Sequence, residues 1–322
     1  MSGPEAPFDA RLDLGRGLVL ANPISVASGT FGFGFEAEAL AGIGHLGAIF
    51  SKGTTALARG GNRPPRIAET AAGMLNSIGL QNPGVEVVAR DYAPRWATWS
   101  VPVLVNVAGA DISEYVAVVR RLDGVSGVAG VELNISCPNI AHGLDFATEP
   151  GAAARCVAAV RAATELPLVV KLSPNVTDIA EVARAVEDAG ADAVSAVNTY
   201  VGMKVALLSR RPVLPGHGSG GLSGPAIKPL ALAAVVKVRR AVVIPVIGIG
   251  GIASATDALE FLVAGADAVQ VGTANFNNPQ ASREIVEGCL AYAQQHQLRR
   301  FAELRWQDLD HPGAQEPAGE ND

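Results

Sequence analysis

The chain has 322 residues, 49% of them apolar and 17% charged, with a net charge of −6. This is ample for one large core, and it leaves no basic run suited to nucleic acid or to an anionic membrane surface. Met1 to Arg16 is polar and holds no apolar stretch of signal-peptide or membrane-spanning length, which predicts a cytoplasmic protein.

Short apolar runs bounded by Gly, Pro or Asn recur eight times along the chain. They are Pro23–Ala27, Ala48–Lys52, Pro102–Val107, Gly130–Ile135, Leu168–Leu172, Ala193–Val197, Pro245–Ile249 and Ala268–Val271. Ala-rich stretches with helical spacing lie between most of them, among them Pro150–Thr164, Asp178–Ala189, Pro225–Arg240 and Ser254–Ala264. This alternation predicts parallel βαβ units, and eight of them predict a closed α/β barrel, the TIM (β/α)8 fold, rather than an open sheet. A weak repeat agrees. Asp188-Ala-Gly-Ala-Asp-Ala-Val194 and Val263-Ala-Gly-Ala-Asp-Ala-Val269 each read as a helix end, a left-handed capping Gly and a strand entry. Gly47-Ala48 and Gly130-Val131 are expected to do the same.

Two connections exceed plain βα loops, Gly53 to Val101 and Asn198 to Ser223, the second carrying the glycine cluster Gly216 to Gly221. Both follow strands, so both belong to the face at the strands' carboxyl ends, where long loops serve as lids or substrate clamps. One domain is expected over residues 1–307, with a polar, disordered tail over 308–322. The three cysteines, Cys137, Cys156 and Cys289, are too widely spaced for a structural zinc or an iron–sulfur cluster within the chain.

In such a barrel the carboxyl ends of the strands form the reacting face. They carry Ser28-Gly29, Lys52-Gly53-Thr54, Asn106, Asn134 with Cys137 and Asn139, Lys171, Asn198-Thr199, Gly250-Gly251 and Gly272-Thr273. The set is rich in amides and has two lysines, but no His and no carboxylate at a tip, which disfavours paired-acid hydrolysis and a metal site. The glycine-rich ends of strands seven and eight suit a phosphate, held by backbone N–H groups and a short helix. With no carboxylate on a neighbouring tip, the lysines fit either a Schiff base or a fixed cation facing an anionic group. Two lysines among several amides favour the fixed cation. Cys137 precedes Pro138 and sits among Asn, Ser and Pro, unlike Cys156 and Cys289 on predicted helices. It suits a nucleophile or a general base, under a flap over 140–146 in which His142 is read as an exposed loop residue.

Five motifs, in order, resemble the class 1 dihydroorotate dehydrogenases between about Leu20 and Phe276. They are Ser51-Lys-Gly-Thr-Thr55, Met74-Leu-Asn-Ser-Ile-Gly-Leu-Gln-Asn-Pro-Gly84, Asn134-Ile-Ser-Cys-Pro-Asn139, Lys171-Leu-Ser-Pro174 and Gly221-Leu-Ser-Gly-Pro225. The Cys in place of the Ser of class 2 enzymes, and the wording of the loop at Ile78, resemble the class 1B catalytic subunit most. The resemblance implies FMN-dependent oxidation of (S)-dihydroorotate to orotate. Cys137 would take a proton from C5, and a hydride would pass from C6 to flavin N5. Lys171 would lie at the flavin N1/O2 edge, and Lys52 would touch flavin and substrate. Asn76, Ser77, Ile78, Gly79, Leu80, Asn134, Asn139, Asn198 and Thr199 would hold the orotate. Ser28, Gly53, Asn106, Asn134, Val197, Gly224, Gly250, Gly251, Gly272 and Thr273 would hold FMN with the two lysines.

The class also implies a homodimer and a separate subunit with FAD and a 2Fe–2S cluster that passes electrons to NAD, together a heterotetramer. The stretch Ala141 to Pro150 has fewer glycines than the family wording. The alternatives weighed are a dihydropyrimidine dehydrogenase-like flavin barrel, a Schiff-base lyase using Lys171 and a non-catalytic ligand-binding barrel.

Overall fold

All eight apolar runs are strands in the computed structural model, which describes residues 7–136, 146, 148–214, 218–307 and 309. They are β1 (Ile24–Val26), β2 (Ala48–Phe50), β3 (Val103–Val107), β4 (Gly130–Asn134), β5 (Leu168–Lys171), β6 (Ala193–Ala196), β7 (Val246–Ile249) and β8 (Ala268–Val271). Each pairs in parallel with its chain neighbours and β8 returns to β1, which closes a TIM barrel. Prolines mark several entrances. Pro23, Pro102, Pro167 and Pro245 have no N–H to give, yet each carbonyl accepts from the adjoining strand, at Val269, Ile49, Val131 and Val194.

Among the described residues, seven main helices cover the barrel: α1 (Phe35–Ala41), α2 (Ile112–Leu122), α3 (Pro150–Arg161), α4 (Ile179–Asp188), α5 (Lys228–Arg239), α6 (Ala255–Val263) and α7 (Ala281–Gln295). Asp111, Glu149, Asp178 and Ser254 cap α2, α3, α4 and α6 by accepting from backbone N–H groups of the first turn. Gly190 and Gly265, just past α4 and α6, both have φ of 100°, as the repeat predicts. Gly47 and Gly130 correct that expectation, because neither is left-handed. A Cβ on Gly47 would lie 1.9 Å from the Asn22 carbonyl oxygen, so this glycine lets β1 and β2 approach each other.

Apolar packing is divided between the two faces of the barrel wall. The outer core lies between strands and helices. A smaller inner core joins Phe50, Leu104, Val169, Ile247 and three alanines to Leu14, Leu18 and Leu20. Those leucines belong to a hairpin, Leu12–Asp13 with Val19–Leu20, that plugs the amino-terminal end of the barrel and was not expected from the polar start of the chain. Strand side chains alternate faces, so inward positions two residues beyond the plug are Lys52, Asn106, Lys171, Ser195 and Gln270. The interior therefore changes from apolar to polar along the axis, towards the carboxyl ends of the strands.

The two long connections converge above that polar layer. Ile67–Thr70 and Gly73–Asn76 from the first join Tyr200–Met203 and Ser219–Ser223 from the second in one four-stranded antiparallel sheet. The first connection also holds the helical run Val85–Val87, Val88–Tyr92 and Ala93–Trp96, which takes the helix position between β2 and β3, so it is not wholly a lid. At the other end of the chain the tail is expected from 308. Leu309 is fully buried and its carbonyl accepts from Arg240 Nε, while 308 and 310–322 lie outside the described residues. Among the described residues no helix is long and apolar enough to cross a membrane.

Gly47→Ala should destabilise the fold by about 2–4 kcal/mol, since a Cβ there meets backbone rather than a movable side chain. Urea unfolding of the two proteins measures it, and an unchanged midpoint would refute the close approach.

Candidate active site

Lys171, the last residue of β5, is 4% exposed although it carries an ammonium group. Its Nζ donates to Ser28 Oγ at 3.3 Å and lies 3.8 Å from Glu132 Oε2. Among the described residues no carboxylate stands on a neighbouring strand tip, but Lys171 has one deeper in the wall. Glu132 lies on β4 two residues before Asn134, inside the wall rather than at the tip. It is fully buried and accepts from Asn106 Nδ2 at 2.6 Å, Ser195 Oγ at 2.8 Å and Gln270 Nε2 at 2.9 Å. One carboxylate so gathers side chains from β3, β5, β6 and β8.

The four-stranded antiparallel sheet forms a hood over the mouth, and the glycine-rich ends of β7 and β8 meet its end. Gly251, with φ of 76°, packs so tightly that a Cβ would fall 2.9 Å from the Gly224 carbonyl oxygen. A Cβ on Gly250 would fall 2.6 Å from Ala231 Cβ. Thr273 Oγ1 donates to Ser223 Oγ at 2.8 Å, which ties the hood to β8. Gly272 is open, with nothing nearer than 3.6 Å to a Cβ placed there. The N–H groups of Gly251, Gly272 and Thr273 donate to no acceptor among the described residues. Free N–H groups beside an open glycine are the donor set a phosphate requires. Val197 sits next to this rim, its N–H donating to the Ile249 carbonyl.

Across the mouth the amides cluster. Asn198 Nδ2 donates to Asn134 Oδ1 at 3.1 Å, and the Asn198 side chain accepts from the Thr199 N–H. Tyr115 Oη fixes the Asn134 backbone by donating to its carbonyl at 2.6 Å. Asn76 Nδ2 donates to the Gly221 carbonyl at 3.1 Å, and Thr199 packs against the bare Cα of Gly221. Residues 77–80 are held from outside. Asn62 Nδ2 donates to Ser77 Oγ, Asn62 N–H to the Ile78 carbonyl, and Asn82 Nδ2 to the Leu80 carbonyl. Gly79 and Leu80 both have positive φ. Leu80 and Asn106 Oδ1 flank Gly53, next to Lys52, whose ammonium has no ion-pair partner among the described residues. Lys52, Gly53, Asn76, Asn106, Asn134, Lys171, Asn198 and Thr199 thus come to one mouth.

Cys137 and Asn139, with His142 and most of the expected flap, lie outside the described residues. Cys156 and Cys289 are buried inside α3 and α7, and burial pushes both thiols up to about 12, as befits inert core residues. The supporting residues Glu132, Ser195, Gln270, Asn62, Asn82 and Tyr115 were missed. Only Glu132 had a legible signal, a carboxylate in an apolar strand on the same face as Asn134. A second cleft, of about 490 Å³, lies at the opposite end of the barrel between Arg16–Val19 and Ser100–Pro102; it adjoins none of these groups.

Peptide mapping after brief alkylation of the native chain at pH 8 should find Cys156 and Cys289 unmodified, with both reacting once the chain is unfolded. Labelling of either in the native protein would contradict their burial.

Residues 15–292 match the family model for dihydroorotate dehydrogenase. The chain is 52% identical over 289 residues to the dihydroorotate dehydrogenase B (NAD(+)) catalytic subunit of Pelobacter propionicus, covering 89% of this chain and 95% of that protein. It is 51% identical to the protein of that name from Desulforamulus reducens, over 89% of this chain and 94% of the relative. For the one from Trichlorobacter lovleyi the identity is 54%, over 84% and 89%. Together with the closed barrel and the lysine–amide mouth, the match over most of its length establishes that this chain belongs to the dihydroorotate dehydrogenase family of oxidoreductases.

Proposed function

We propose that this chain oxidises (S)-dihydroorotate to orotate in the cytoplasm, as the catalytic subunit of an NAD-linked enzyme of pyrimidine synthesis, with FMN as its resident cofactor. The observation that carries the reading is the mouth itself, where a buried ammonium and a patch of amides stand beside free backbone N–H groups at an open glycine.

The donor set fits FMN. Gly251, Gly272 and Thr273 supply backbone N–H groups for its phosphate, and Gly224 and Gly250, packed against Gly73 and Ala231, shape the rim beside them. Lys171 sets a positive charge, desolvated and therefore strong, where an electron-rich ring edge would lie; Ser28 steadies it. Lys52, Gly53, Asn106 and Val197 complete the wall. FMN, when bound, supplies the two-electron acceptor for the hydrogen leaving C6.

Dihydroorotate presents alternating C=O and N–H groups and a carboxylate. Asn76, Asn134, Asn198 and Thr199 match the alternating edge, because an amide offers both donor and acceptor, and Lys52 has a free charge for the anion. Ser77 to Leu80, held by Asn62 and Asn82, form the near wall, and Asn139 would add a further amide. Cys137 would remove the C5 proton. The name "catalytic subunit" borne by the relatives supports a separate partner, here an FAD and 2Fe–2S subunit, with this chain as a homodimer within a heterotetramer.

The test is an anaerobic absorbance spectrum of the purified chain before and after addition of dihydroorotate. A flavin band that bleaches supports the proposal. A band that persists removes dihydroorotate as substrate, and its absence after added FMN removes the cofactor. Cys137→Ala should keep the band but slow the bleaching by about 10²–10⁴-fold in stopped flow. A near-normal rate would take the thiol out of the mechanism.

A further inference from the structure

Glu132 is fully buried, and four groups reach it from four strands. Ser195 and Gln270 both donate to Oε1. Asn106 donates to Oε2, and the Lys171 ammonium faces the same oxygen. Such a layer is costly to bury and would pack more simply if apolar. All four are buried, but Asn106 and Lys171 also reach the strand ends, Asn106 lying against Gly53 and Lys171 donating to Ser28.

The contact with Asn106 has a directional consequence. A carboxylate only accepts, so the Asn106 NH2 must face Glu132 and its carbonyl must face the other way. That carbonyl oxygen is the atom beside Gly53, 3.1 Å from a Cβ placed there. Glu132 therefore decides that this position offers the mouth an acceptor. It also sets how much of the Lys171 charge is felt there, because it lies 3.8 Å from the ammonium and both groups are buried.

We propose that Glu132 is a positioning residue that orients the Asn106 amide and tempers the Lys171 charge, and so sets the redox potential of the cofactor held above it. The proposal rests on the FMN reading. Removing the negative charge leaves Lys171 uncompensated and favours an electron-rich ligand. Glu132→Gln should therefore raise the midpoint potential of bound FMN. The expected change in the oxidised-to-reduced equilibrium is on the order of tenfold, about 30 mV for a two-electron couple. It should also weaken FMN binding several-fold, because Asn106 is then free to flip. Ser195→Ala keeps the charge but takes one donor from Oε1, so the carboxylate is less neutralised and the potential should fall. Opposite signs in the two variants are what a charge effect requires and what loosened packing does not produce.

The experiment is anaerobic spectroelectrochemistry of the full-length chain with FMN, alongside fluorescence titration of FMN into the apo chain. A rise for Glu132→Gln and a fall for Ser195→Ala support the proposal. Wild-type potentials in both variants, or shifts of the same sign, overturn it. If Glu132→Gln does not fold, Ser195→Ala decides alone: a fall supports the proposal, and no fall overturns it. A wild-type chain that takes up no FMN defeats the functional reading first, and this inference with it.

Discussion

The structure depends on how a closed barrel disposes of one buried carboxylate. The interior of an eight-stranded parallel barrel is filled by side chains in layers, and here the lower layer is apolar and sealed by Leu14, Leu18 and Leu20. Glu132 sits just above that seal with no exposure to solvent. An uncompensated charge there would cost several kcal/mol, which is why a hydroxyl, two amides and an ammonium converge on it from other strands. The polar layer they make is the floor of the site.

Above that floor the two insertions act as one body. Neither is a sheet by itself, since each brings two strands and a hairpin alone is marginal in water. Pairing Gly73–Asn76 with Ser219–Ser223 completes a sheet, and glycines allow the close approach: a Cβ on Gly73 would fall 2.0 Å from the Ser223 carbonyl oxygen. The joint is also where Asn76, Gly221 and Thr199 meet. Assembly of the hood and assembly of the amide cluster are therefore the same event, which explains why such long connections are kept in register.

The site divides its work along the barrel rim. Under the proposed function, backbone N–H groups at the ends of β7 and β8 serve the phosphate. On the same reading, side-chain amides from β4, from just past β6 and from the hood serve the planar heterocycle of the substrate. Lys52, just past β2, and Lys171, at the end of β5, stand near the join. A rigid backbone suits a resident group, whereas amides held by second residues, as Asn134 is held by Tyr115, suit a ligand that comes and goes.

Much of this was legible in the chain. Short continuous apolar runs with glycine, proline or asparagine boundaries mark all eight strands, because those signals are local and the barrel wall imposes them one strand at a time. The strand-end residues were legible for the same reason, since a residue's height in the barrel follows from its place in its run. What tertiary structure alone decided is long-range. Glu132 reads as an oddity in an apolar strand until Asn106, Ser195 and Gln270, which lie 26, 63 and 138 residues away, are folded around it. Gly47 reads as a helix cap until Asn22 is brought against it, and Leu14, Leu18 and Leu20 show no role until they meet the open end of the barrel. Sequence patterns report which face a residue takes. Only closure of the barrel decides what stands opposite.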